Sequence, residues 1–136
     1  MIKQTEINLP VFTRGFHLIT HEVMRQLGDL PNEGLLHLFI KHTSAGICIN
    51  ENADPTVLDD FETVFNLLVP ENQHYYRHTM EGSDDMPAHI KMALTRTSES
   101  IPFAERRLQL GTWQGVFLWE HRHGAHHREV IVTVMG

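Results

Sequence analysis

The sequence predicts an α+β domain: a β-rich antiparallel sandwich, jelly-roll-like, carrying two or three helices. Three observations lead there. Strand-like segments crowd both ends of the chain, helix starts fall only between them, and 136 residues suffice for one domain with a real core. There is no repeat, linker or low-complexity tract, so residues 1–136 are expected to form a single unit.

Each element has a local reason. Residues 2–9 read as a strand closed by Pro10. Residues 20–27 read as a short helix with Thr20 as its cap, Val23, Met24 and Leu27 on one face, and Gly28 as its stop. The apolar runs 35–41 and 46–50 read as strands. Asp54-Pro55 is a strong helix start, because Asp54 accepts from orphan N–H groups and Pro55 has no N–H to orphan. Val57, Phe61, Val64, Phe65 and Leu68 then recur at helical spacing until Pro70. Ser83-Asp84-Asp85-Met86-Pro87 starts another helix, with Ile90, Ala93 and Leu94 as its apolar face. Beyond Ser98 strands return at 107–110, 113–120 and 129–134. Trp113, Phe117 and Trp119 are expected to alternate into the core, and the histidine-rich stretch 121–127 to be a solvated turn.

Composition removes whole classes of function. A 41% hydrophobic, 21% charged chain is not disordered, and a net charge of −6 gives no cationic field for nucleic acid. No apolar run approaches the ~20 residues of a membrane helix. The first residues lack the pattern of a signal peptide, and the single Cys48 has no intrachain partner, so a cytoplasmic location is expected. No P-loop, dinucleotide fingerprint or nucleophile elbow occurs, and His21-Glu22 lacks the second histidine of a zincin because Arg25 stands there.

Two polar clusters could carry chemistry. The first, 42–55, holds His42, Thr43, Ser44, Asn50, Glu51, Asn52 and Asp54; capping explains Asp54 but not Glu51, which suits a general base or metal ligand. The second, 78–89, holds His78, Glu81, Asp84, Asp85 and His89. A helix dipole accounts comfortably for one of the two aspartates. Among eleven histidines, His42, His78 and His89 come from three elements and match the ligand count of a zinc-like catalytic site with one open position. Ser44 beside His42 is not a triad in itself, and Glu120 could orient a histidine.

The segments HTSAGICINENADPTV (42–57), EGSDDMPAHIK (81–91) and LGTWQGVFLWEHR (110–122), in this order, resemble the YjbQ-like family, with likeness running from RGFHLIT (14–20) to the last strand. The resemblance implies a β-rich sandwich assembling as a homotrimer. It also implies a weak secondary thiamine-phosphate synthase activity, joining hydroxymethylpyrimidine diphosphate to a thiazole phosphate with release of pyrophosphate. The expected site combines both readings. His42, His78 and His89 hold a divalent metal ion, zinc or similar. Glu51, Asp85 and Ser44 are the catalytic candidates, and Thr43, Asn50, Asn52 and Arg122 bind a small phosphorylated metabolite. Two alternatives stay open: a metal-dependent hydrolase of a phosphorylated metabolite, and a non-catalytic metabolite- or metal-binding module. No nucleic-acid or membrane partner is expected.

Overall fold

The computed structural model describes residues 1–136. In chain order the elements are β1 (Ile2–Asn8), β2 (Gly15–Leu18), α1 (Thr20–Leu27), β3 (Glu33–Ile40), β4 (Ala45–Glu51), α2 (Pro55–Leu68), α3 (Asp85–Leu94), β5 (Ser98–Ala104), β6 (Arg107–Leu108), β7 (Gln114–Glu120) and β8 (Glu129–Met135). A five-stranded sheet has the order β1-β8-β3-β5-β6, and a three-stranded sheet the order β2-β7-β4. All pairings are antiparallel. No helix is long and apolar enough to cross a membrane.

Strand alternation builds the core. Val130, Val132 and Val134 of β8 point inward beside Leu36, Leu38 and Ile40 of β3, and meet Ala45, Ile47, Val116 and Leu118 from the smaller sheet. β7 is central in its sheet and is buried on both faces from Gly115 to Glu120, so strict alternation fails there. Trp113 lies just before the strand and is exposed, while Phe117 and Trp119 are buried. Trp119 stacks with Phe16 and Phe65, which pins α2 and β2 to the sheet.

The helices follow their signals with instructive exceptions. Asp54 caps α2, accepting from Thr56 N at 3.0 Å, and Pro55 opens it. Thr20 does not cap α1. It is the first helical residue, and its hydroxyl accepts from Val116 N at 2.8 Å, tying the helix to β7. β2 has no clear sequence signal; it is four residues long and gains its ladder only by pairing with β7. In α3 the buried face is Asp85, Pro87, Ala88 and Lys91, not the apolar face through Ile90, Ala93 and Leu94. A polar helix face turned inward needs partners, and those partners form the site.

Candidate metal centre

The loop after β3 and the segment after β7 flank the first turn of α3. Asp85 is 2% exposed, and its Oδ2 lies 2.6 Å from His78 Nε2 and 3.1 Å from His89 Nε2. The three ligand atoms fall within 4.8 Å of one another. Asp85 and His89 are i, i+4 on one helix, so they share a face; His78 arrives from the loop before it.

A hydrogen bond assigns the tautomer of His89. His89 Nδ1 lies 2.8 Å from the Thr43 carbonyl. A carbonyl only accepts, so Nδ1 carries the proton and Nε2 of a neutral ring presents a lone pair. That lone pair faces a carboxylate oxygen, another acceptor. Either a second proton or a cation must separate the two. A backbone carbonyl that holds one ring nitrogen, leaving the other to ligate, is the usual support for a metal-bound histidine. Two imidazole nitrogens and one carboxylate oxygen also form a donor set used by zinc and other first-row metals.

Arg122 supports the centre from beneath. Its Nη1 is 3.0 Å from Asp85 Oδ1, its Nε donates to Asp84 Oδ2 at 3.1 Å, and its Nη2 donates to the Glu81 carbonyl at 2.9 Å. Asp84 also accepts from His123 N at 2.8 Å, so its carboxylate is occupied there and does not cap α3. Burial pushes the Asp84 carboxyl up, but Arg122 and the His123 N–H outweigh it and hold it at about 2. Burial likewise raises Asp85, and His78, His89 and Arg122 together bring it below its ordinary value. Both aspartates are therefore anionic at neutral pH.

A buried ion pair anchors the other side. Glu120 is fully buried and accepts from Arg128 Nε and Nη2, each at 2.6 Å, and from Arg122 N at 3.1 Å. Arg128 Nη2 also donates to Ser44 Oγ at 3.0 Å. Glu120 thus organises the backbone on both sides of the centre: Arg122 directly, and the 43–44 loop through Arg128 and Ser44.

The expected site residues divide accordingly. His78, His89 and Asp85 come together. His42 does not join them; its Nε2 accepts from Glu129 N at 2.9 Å, and burial followed by the Arg128 charge holds its imidazole below the ordinary value. Asp85 stands where the third histidine was expected. Thr43 contributes its carbonyl to His89. Ser44 is buried beneath the loop, where its oxygen serves Arg128, an arrangement suited to holding the loop rather than to attack on substrate. Arg122 spends most of its donors on Asp84, Asp85 and Glu81, so it positions the carboxylates instead of standing free for phosphate. Asn50 Oδ1 accepts from Glu51 N, and Asn52 Nδ2 donates to the Gln114 carbonyl at 3.4 Å. Glu51, Asn52 and Asp54 line a separate hollow of about 150 Å³ with Leu18 and Phe117. β4 separates that hollow from the Thr43 loop by a strand length of ~20 Å. Within one chain, Glu51 therefore stays apart from the centre.

Two positions eluded the pattern. His121, expected in a solvated turn, is 2% exposed and packs against Trp119 with its Nε2 unpartnered. Burial, then the charges of Lys91, Arg14 and Arg128, lowers its pKa to about 3. Lys91 is equally buried, donating to Asn66 Oδ1 at 2.7 Å, and burial, then Arg14, lowers its pKa. Only the inward turn of α3 and β7 reveals them.

The architecture defines a class: a small two-sheet antiparallel protein in which a loop and a helix hold two histidines around a buried aspartate. Comparison with known proteins then fixes the family. The chain belongs to the UPF0047 protein YjbQ-like family, matching it over residues 5–136. It is similar to the UPF0047 protein YjbQ of Escherichia coli O157:H7, at 48% identity over 98% of this chain and 97% of that one. A UPF0047 protein of Synechocystis is 62% identical over 76% of this chain and 70% of its own length. Among solved structures, a conserved hypothetical protein from Thermus thermophilus superposes with a TM-score of 0.85 at 36% identity, covering 96% of this chain and 99% of that one.

Proposed function

We propose that this protein is an enzyme with a divalent-metal centre at His78, Asp85 and His89 that acts on a small phosphorylated metabolite. One observation carries the reading: the proton on His89 Nδ1 is fixed by the Thr43 carbonyl, which leaves two histidine Nε2 atoms converging on one buried carboxylate oxygen. A divalent ion there would bind phosphate oxygens and stabilise a leaving pyrophosphate. The chain's own residues supply the setting. Arg122, itself held by Asp84, keeps Asp85 anionic and aimed at the histidines. Glu120 and Arg128 hold the loop that orients His89.

The activity proposed for this centre is the one the family resemblance implies, joining hydroxymethylpyrimidine diphosphate to a thiazole phosphate with release of pyrophosphate. A homotrimer belongs to the same reading. Exposed Trp113, Leu67 and Leu68 offer apolar surface for it, and assembly would let the Glu51 hollow of one copy serve the centre of another. The test is pyrophosphate release from the two substrates with zinc, manganese or magnesium supplied. Wild type should turn over in a metal-dependent manner, and the His78→Ala, His89→Ala double variant should not. Equal release by both proteins would overturn the reading.

A further inference from the structure

A second polar cluster lies where α2, α3 and β7 meet, and the metal centre uses none of it. Of the eleven lysines and arginines, only Lys91 and Arg128 are buried. Arg128 has the Glu120 carboxylate at 2.6 Å. Lys91 is 2% exposed, and its Nζ makes one hydrogen bond, at 2.7 Å, to the uncharged Asn66 Oδ1. No carboxylate stands within ion-pair distance of it. A buried ammonium is ordinarily paired, because nothing else replaces the hydration it loses.

Its neighbours add to the imbalance. Arg14 Nη2 donates to the same Asn66 oxygen, so two cations share one neutral acceptor. The amide is fixed that way round, because its Nδ2 donates to Glu62 Oε1 at 3.3 Å. The nearby carboxylates are engaged elsewhere: Glu62 by Arg14, and Glu71 by Ser83, His123 and Arg14. Trp119 Nε1 is buried without an acceptor, and an indole N–H can only donate. His121 Nε2 is buried without a partner as well. These two rings lie 4.9 Å apart, and Trp119 also stacks on Phe65, the neighbour of Asn66. Lys91 is foremost among the charges acting on His121. Two further N–H groups of Lys91 and the indole N–H therefore share one buried neighbourhood with a neutral imidazole, and positive charge and donors there outnumber acceptors.

We propose that this neighbourhood binds one small monovalent anion, chloride or a heavier halide, between Lys91 and the Trp119–His121 pair. One anion would neutralise the one unpaired cation and accept from the ammonium and the indole. His121 would complete the set in its Nε2-protonated tautomer. Burial selects the class of ion. Lys91, His121 and Trp119 are each at most 3% exposed, so an entering anion sheds its water. A halide carries one charge and has far less hydration to lose than a phosphate or sulfate, whose second charge would also stand unpaired. Bound there, the ion would join α3 to α2 and β7, and so steady the helix that carries Asp85 and His89. The site is independent of the metal-centre reading.

The test uses metal-free protein throughout. Thermal melts at constant ionic strength, with chloride replacing gluconate, should show a saturating rise of roughly 5 °C in wild type. Lys91→Met, which keeps the stem and removes the charge, should melt at one temperature in both salts. Trp119→Phe, which removes the indole N–H and keeps an aromatic ring, should need at least about tenfold more chloride for half the rise. Crystals of wild type soaked in sodium bromide should give an anomalous peak within contact of Lys91 Nζ. Equal chloride response in wild type and Lys91→Met, no response in wild type, or bromide found at surface positions alone (an adventitious ion only) would each overturn the proposal. The bromide experiment uses wild type, so it decides the matter even where a variant fails to fold.

Discussion

Replacing Glu120 with Gln removes one charge and almost no volume, in a place where the structure leaves no room for adjustment. The Glu120 carboxylate is fully buried and takes two Arg128 donors at 2.6 Å and the Arg122 N–H at 3.1 Å. A glutamine keeps one acceptor oxygen and turns an NH2 toward donors. Arg128, whose side chain is 7% exposed, then stays charged without a counter-ion. Breaking a buried pair from one side costs about 3–5 kcal/mol, a large share of the ~5–15 kcal/mol that typically separates folded from unfolded protein. The same change loosens Ser44 and the Thr43 carbonyl, which orient His89. Metal affinity should therefore fall about 10–100-fold, as for other outer supports of metal ligands. Urea unfolding and zinc titration of Glu120→Gln measure the two effects. The Glu120→Leu, Arg128→Met double variant should recover much of the stability, because it removes both charges, and should not recover the affinity. A Glu120→Gln protein within about 1 kcal/mol of wild type and with unchanged zinc affinity would refute the reasoning.

The other predictions concern single groups. His121 has its ordinary value of 6.5 lowered to about 3 by burial, so the unfolded chain binds a proton there that the folded chain refuses. Its contribution is full above about pH 6.5 and declines by up to about 1.4 kcal/mol per pH unit as pH falls toward the folded value; thermal melts of His121→Leu should have a shallower acid slope than wild type, and identical slopes would contradict this. Burial pushes the Cys48 thiol up to about 12, so a disulfide reagent should label native protein far more slowly than urea-unfolded protein at pH 8; equal rates would show an accessible thiolate. Asp54→Ala removes the cap that Thr56 N and Thr56 Oγ donate to, and should cost ~1 kcal/mol in urea unfolding, with Asp54→Ser restoring most of it.

The strands and helices are legible where a local cause acts alone. Asp54-Pro55 opens a helix whatever surrounds it, and the valines of 129–134 alternate because one face of β8 meets the core. The errors fall where tertiary structure overrides pattern. β2 exists through its partner, Thr20 bonds to a strand instead of capping its helix, and α3 buries aspartate and lysine because the segment after β7 brings Arg122, and α2 brings Asn66, to meet them. The site shows the same division. Residue type marks His78, Asp85 and His89 as candidates, and the fold brings those three side chains together. That Asp85 and not His42 completes the cluster is not readable from the sequence. It depends on Glu129 N claiming His42 and on Thr43 presenting a carbonyl, and backbone atoms leave no trace in residue identity.

Metal stoichiometry across four proteins tests the central assignment most directly. Elemental mass spectrometry on tag-free, zinc-incubated samples would compare wild type with His42→Ala, Asp85→Asn and the His78→Ala, His89→Ala double variant. The account predicts about one ion per chain in wild type, as for a single set of three protein ligands with an open position, with the same content in His42→Ala and loss in the other two. Metal lost with His42 and kept by Asp85→Asn, or kept by the double variant, would contradict it.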